Sequence, residues 1–326
     1  MKNLELPLCM KTPGSGALGA LCVGILACTS APVSANEPAH CAWMTEAIGI
    51  PQSNMDERPG DFHEVPICHD RFLLRHNNLT KTPDWVIERL TADLVTGTNT
   101  RPKVKFQPEP NISDDNVRAD DEAYLRSQYA RGHQAASADF KSDEQLMKNT
   151  FIFSNAVPQE GSGFNSSIWS QFENRVQKLA QVRGEIYVIT GPVYQDPKGK
   201  DIVFSEAQNP CGREIRLPDL ERDMVCGGLN KSTPNLKCDG HGVAIPAGLY
   251  KIIYDPAMNR INAYVMPNVD HPNKKERGGL STENYLNTWR ISVRNLEDRV
   301  GYTFFPDFDR HRSHALLESC PASMIR

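Results

Sequence analysis

The sequence predicts one α+β domain, a central antiparallel-rich sheet flanked by helices. Three observations predict it. β-branched and aromatic runs recur along the chain, a single strong amphipathic helix lies among them, and no repeats or low-complexity tracts are present. The 326 residues are 39% hydrophobic and 23% charged, with 22 Gly and 23 Pro. That composition excludes collagen-like, coiled-coil and wholly disordered chains. The net charge of −4, from 36 basic and 40 acidic residues, excludes a globally cationic surface. A polyanion would have to be met by a local basic cleft.

Residues 1–35 read as an export signal. Lys2 and Lys11 precede the apolar run 17–27, and Val33–Ser34–Ala35 places small residues at a peptidase site. The run is too short to span a bilayer, which takes about 20 residues. Cleavage after Ala35 implies a secreted or periplasmic protein, with lipoprotein processing at Cys28 as the alternative. Beyond the signal six cysteines remain, Cys41, Cys68, Cys211, Cys226, Cys238 and Cys320. An even count in an oxidising compartment predicts up to three disulfides, with Cys41–Cys68 the preferred pair. A rival zinc site at Cys211, Cys226, Cys238 and His241 lacks paired C-x2-C ligation.

Residues 36–70 are polar and Pro-bearing and read as an irregular lead-in. Strands are expected at Phe72–Leu74, Pro83–Leu90 and Thr150–Phe153, and again at Glu185–Thr190, Leu249–Tyr254 and Ile261–Met266. Short helices are expected over Ser142–Lys148 and Val293–Arg299. In the helix opened by Phe164–Asn165, residues Ile168, Trp169, Phe172, Val176 and Leu179 form one stripe at helical period. Residues 195–242 hold three cysteines and few apolar runs. Such a length without clear structure reads as a disulfide-held insertion. Residues 71–315 form the predicted catalytic domain and 316–326 a C-terminal tail.

The chemistry-bearing residues come in order. Arg131–Gly132–His133 combines a group that titrates near neutrality with a guanidinium suited to phosphate and a glycine that permits close approach of a ligand. Ser154–Asn155–x2–Pro158–Gln159 follows, then Asn165–x3–Trp169–x3–Glu173. Taken singly, Asn165 is a helix N-cap, Glu173 a solvated helix residue and Arg101 a surface charge.

Together these motifs resemble the DNA/RNA non-specific endonuclease family, whose members carry a ββα-metal (His-Me finger) core. The likeness extends over about residues 70–310. It includes Pro83–Asp84–Trp85, Arg101–x4–Phe106, Tyr187–Val188–Ile189–Thr190–Gly191–Pro192, Tyr250–Lys251 and Met266–Pro267–Asn268. Ala130 stands where many family members have Asp and others Ser.

The resemblance implies a Mg²⁺-dependent endonuclease, Mn²⁺ substituting, that hydrolyses DNA and RNA phosphodiesters without sequence specificity. His133 is the implied general base and Asn165 the single protein ligand of the metal. Glu173 is implied to orient a metal-bound water. Arg131 and Arg101 clamp phosphate, and Asn155 holds the histidine loop. The alternatives are a phosphodiesterase for nucleotides or small phosphate esters on the same core, and an inactive nucleic-acid-binding relative.

Overall fold

The computed structural model describes residues 39–54, 66–194, 202–204, 209–212, 214–218, 224–225, 242–273, 275–308 and 315–325. These belong to one compact unit, residues 36–326. The expected cleavage site, Cys226, Cys238 and His241 lie outside the described residues.

The chain builds strands β1 (Ile67–His69), β2 (Phe72–Asn77) and β3 (Thr82–Thr91), then a separate hairpin of β4 (Tyr129–His133) and β5 (Ala156–Glu160). It returns through β6 (Glu185–Val193), β7 (Gly248–Asp255), β8 (Arg260–Pro267) and β9 (Arg290–Ile291). The main sheet has seven strands in the order β9-β8-β7-β6-β3-β2-β1, and every pairing is antiparallel. At its centre Ile87 pairs with Ile189, which pairs in turn with Ile252.

These central strands read as near-continuous apolar runs because both faces of the sheet are covered. On one face Val86, Leu90, Val188 and Ile253 join Trp169, Phe172 and Val176 of the long helix in one core. On the other, Leu73, Ile87, Ile189 and Ile252 pack with Met44, Ile48, Phe304 and Leu317. Each fully buried large side chain of this kind contributes about 1.5–3 kcal/mol.

Residues 36–70 contain more than irregular chain. A short 3-10 helix spans Ala39–Met44, and Gln52–Ser53 pairs with Tyr302–Thr303. Ile67–His69 is an edge strand of the main sheet. Cys41 is bonded to Cys68 (Cα–Cα 6.1 Å), which ties the helical turn to that strand. Cys211 is bonded to Cys320 across 109 residues, and so is not a zinc ligand. Within 195–242, Ile202–Phe204 and Ile215–Leu217 pair as a small hairpin. The tail is held against β8: Met324 N–H donates to Asn262 Oδ1 at 2.7 Å, and Ile325 is 1% exposed.

One expected strand is not formed. Over Thr150–Phe153 only Ile152 makes a single bridge, to Gln107, before a 3-10 turn at Phe153–Asn155. The segment is apolar because Phe151 and Phe153 pack on Phe106, at ring separations of 5.2 and 5.6 Å. Aromatic burial there mimics the composition of a buried strand.

Candidate active site

The site grows from the β4–β5 hairpin and the helix that follows it. The helix begins earlier than its apolar stripe indicates. Gly161–Trp169 wind as π-helical turns and continue into the α-helix Ser170–Arg183, which ends at Gly184 with φ +82. Glu160, the last residue of β5, is the N-cap. Its carboxylate accepts from the N–H groups of Ser162 (3.0 Å), Gly163 (2.8 Å) and Phe164 (2.8 Å). Burial alone would raise this carboxyl, but the three backbone donors outweigh it and hold the group below its usual range. Asn165 is therefore not the cap. It lies half-buried in the π turns and makes no side-chain hydrogen bond among the described residues. Wide π turns inside a longer helix recur at functional sites.

His133 ends β4 and is 8% exposed. Phe106 and Phe151 flank its ring, each at 4.7 Å between centroids. Its Nε2 is buried without a hydrogen-bond partner. Burial first, and then the nearby positive Arg101, push its pKa down to about 3. The imidazole is thus neutral at physiological pH, which is the form that accepts a proton. Arg101 is exposed, with its guanidinium 4.9 Å from the Phe151 ring centroid. Arg131 lies over the Tyr124 ring at 5.5 Å and forms an ion pair with Asp121.

Gly132 is required for a reason the motif does not show. A Cβ there would overlap the Gln159 side chain rather than a ligand. Gln159 is fully buried, and neither amide atom finds a partner. Asn155 is 0% exposed and ties down the chain beyond His133. Its Oδ1 accepts from Ala135 N–H at 2.8 Å, and its Nδ2 donates to the carbonyls of Ala135 and Thr150, both at 3.0 Å. Five backbone pairs fix β4 on β5, from Tyr129–Glu160 to His133–Ala156, and β4 packs against the π turns that bear Asn165.

Glu173 is half-buried rather than solvated. Burial raises its carboxyl to about 8. Lys251 and Arg101 oppose the shift and Asp139 adds to it. Beneath the helix the sheet face carries polar groups that the motifs do not announce. Lys251 on β7 is 2% exposed, donates from Nζ to Thr190 Oγ1 at 2.6 Å, and lies 5.3 Å from the Trp169 ring. Glu88 on β3 is 0% exposed with both carboxylate oxygens unpartnered, and burial drives its pKa well up, with Asp139 adding and Lys251 opposing. The sequence signal for this cluster is a charged residue set among apolar strand residues, Lys251 in Leu249–Tyr254 and Glu88 after Trp85–Ile87.

A two-stranded hairpin feeding a helix, with an unpartnered neutral imidazole at the end of the first strand and an uncommitted amide in the helix, defines a nuclease with a ββα-metal core. Residues 53–311 match the DNA/RNA non-specific endonuclease family. The chain belongs to that family, and it is a non-specific endonuclease.

It is 34% identical over 277 residues to the mitochondrial nuclease of Saccharomyces cerevisiae, covering 82% of this chain and 73% of that protein. It is 27% identical over 281 residues to the mitochondrial nuclease EXOG of Danio rerio, covering 84% and 68%. The crystal structure of the EndoG/EndoGI complex contains a chain with the same fold, at TM-score 0.62 and 24% identity, covering 88% of this chain and 98% of that one.

The relatives correct the secreted or periplasmic reading. Those of Danio rerio, Saccharomyces cerevisiae, Homo sapiens and Schizosaccharomyces pombe are mitochondrial nucleases, which points to a mitochondrial rather than a periplasmic setting. What residues 1–35 share with organelle-targeting peptides is the scarcity of acidic residues, Glu5 being the single one. Among the described residues no helix is long and apolar enough to cross a membrane.

Proposed function

We propose that this endonuclease hydrolyses the phosphodiester backbone of both DNA and RNA, with His133 as general base and a Mg²⁺ held through Asn165. The observation that carries the reading is the His133 side chain: buried, neutral at physiological pH and with Nε2 free of any hydrogen bond, at the end of the hairpin that packs on the Asn165 turns. A general base must be unprotonated and uncommitted, and this imidazole is both. It takes the proton of the attacking water as the bond from phosphorus to the leaving 3′ oxygen breaks.

The residues present fit a hard divalent cation. The Asn165 side chain offers a neutral oxygen donor with no competing partner, in keeping with a cation that takes few protein ligands and keeps waters and phosphate oxygens. Bound there, Mg²⁺ would supply charge stabilisation for the leaving oxygen; Mn²⁺ would substitute. Glu173, on the same helix, orients water. Arg101 and Arg131 meet phosphate charge, and Arg131 exchanges its Asp121 partner for substrate. Asn155 keeps the chain beyond His133 in place. Contacts of this kind recognise the backbone and not the bases, so cleavage is indifferent to sequence and to the sugar.

The test is incubation of purified protein with plasmid and with structured RNA, with and without EDTA. Cleavage of both polymers, abolished by EDTA and restored by Mg²⁺ or Mn²⁺, is expected. Cleavage of one polymer only, or EDTA-resistant turnover, would refute the proposal.

A further inference from the structure

Asn268 closes the Met266–Pro267–Asn268 motif and follows directly on β8. It is 3% exposed, and both polar atoms of its side chain are committed. Oδ1 accepts from the Glu160 N–H at 2.8 Å. Nδ2 donates to the carbonyls of Pro158 and Pro246, both at 2.9 Å. Its own N–H donates to the Ala247 carbonyl at 2.9 Å. One buried amide thus joins the end of β5, where the π turns begin, to the chain that leads into β7. The residues after it continue along the same turns. The buried His271 ring stacks on Phe164 at 5.4 Å between centroids. His271 Nε2 donates to the Pro267 carbonyl at 2.8 Å, which leaves Nδ1 to accept from the Tyr285 hydroxyl at 2.8 Å. A Cβ on Gly163 would overlap the Asp270 carboxylate and lie 2.8 Å from the His271 backbone nitrogen. The exposed Asp270 side chain can swing aside, but the His271 backbone is fixed by a ring held at both nitrogens.

We infer that Asn268 is a positioning residue for the turns that carry Asn165: by clamping Glu160 it sets where the helix begins to wind. Glu160 is held at two places. Its N–H is fixed on Asn268, and its carboxylate accepts from the N–H groups of Ser162, Gly163 and Phe164. The position of the first turn therefore passes from the sheet through Asn268 to Glu160 and on to Asn165 within Gly161–Trp169. π turns are rare in helices, and here the 268–271 segment supports them at Glu160, Gly163 and Phe164. A site of this kind works only when its groups lie within about 0.5 Å of their productive geometry, which support from a rigid sheet supplies. The positioning role rests on the proposed metal role of Asn165; the clamp on Glu160 does not.

The test compares wild type, Asn268→Ala, Gly163→Ala and Asn165→Asp as full chains. Gly163→Ala presses the turns off His271 from the other side and leaves Asn268 intact. Two readouts are taken: hydrogen–deuterium exchange over residues 161–169 in EDTA, and initial rate on plasmid DNA against Mg²⁺ concentration. Exchange over 161–169 should be faster in Asn268→Ala and in Gly163→Ala. The Mg²⁺ concentration for half-maximal rate should rise about tenfold in both, the scale of one hydrogen bond lost from the support. Saturating Mg²⁺ should largely recover the maximal rate. A merely structural defect lowers the rate at every Mg²⁺ concentration by the fraction unfolded and leaves the half-saturation unmoved. Unchanged exchange in both variants overturns the inference. So does an unchanged half-saturation in both while the Asn165→Asp curve differs from wild type. A wild-type metal curve in Asn165→Asp instead refutes the metal reading, and the positioning role falls with it; faster exchange then shows the clamp alone.

Discussion

Gln177 on the long helix donates from Nε2 to Asp139 Oδ1 at 2.8 Å, and both residues are buried. Asp139 Oδ2 accepts in turn from Ala136 N–H at 3.3 Å, three residues beyond His133. The helix that bears Asn165 and Glu173 is thereby joined to the chain that leaves His133. Two elements distant in sequence are locked as one frame, which is the preorganisation that the proposed base and metal position require.

Replacing His133 with Ala should lower the rate on plasmid DNA by about 10²–10⁴-fold with folding intact. A far-ultraviolet spectrum and melting curve check the fold. A variant with near-wild-type turnover would remove His133 from the chemistry. The pH dependence of stability gives a second readout. The folded pKa of about 3 lies below the unfolded value of about 6.5, so protonation favours the unfolded chain. The stability contribution is therefore full above pH about 6.5 and is lost as pH falls from there towards 3. Urea denaturation across that window should show a shallower loss for His133→Ala than for wild type.

Because Glu160 caps the helix, Asn165→Ala should cost little stability while nearly abolishing activity, by about 10²–10³-fold. Asn165→Asp places a negative charge beside the ion, which should tighten metal binding while weakening the pull on phosphate. Initial rate against Mg²⁺ concentration for the three proteins decides the matter. Superimposable metal curves would show that Asn165 is no ligand.

Lys251 is the cation that acts on all three of Glu88, Asp139 and Glu173 beneath the helix, with Arg101 adding its charge at Glu173. Its replacement by Met removes the counter-charge named for Glu88 and Asp139 and should destabilise the fold by about 3–5 kcal/mol. Adding Glu88→Gln should restore part of that loss. A double-mutant cycle by chemical denaturation measures the coupling, and additivity within about 0.5 kcal/mol would disprove it.

Cys211→Ser should lower stability by about 2–5 kcal/mol, since the Cys211–Cys320 bridge closes a loop of 109 residues and pins the tail on β8. Alkylation under non-reducing conditions followed by mass spectrometry should leave Cys41, Cys68, Cys211 and Cys320 unlabelled. Labelling of either pair in the folded protein would contradict the bridge.

The sequence alone determined the α+β class, the central strands of the sheet, the family to which its motifs point and the Cys41–Cys68 pair. These depend on features carried within a few residues of each other: β-branched runs, a helical stripe, and motif spacing such as Arg131–Gly132–His133 and Asn165–x3–Trp169–x3–Glu173. Its export reading is overturned by the mitochondrial relatives, which local composition at the N-terminus does not announce. Only the tertiary structure decided that Glu160 rather than Asn165 caps the helix, because local sequence marks the apolar stripe but not where the chain begins to wind. The fold also chose Cys320 for Cys211, one of many possible pairings. It likewise gathered Glu88 and Lys251 from two strands, Glu173 from the long helix and Asp139 from the 3-10 helix Ser137–Phe140 into one layer. The neutrality of His133 and the raised pKa of Glu173 arise from burial by residues far along the chain, and desolvation is a property of the assembled core rather than of any short stretch of it.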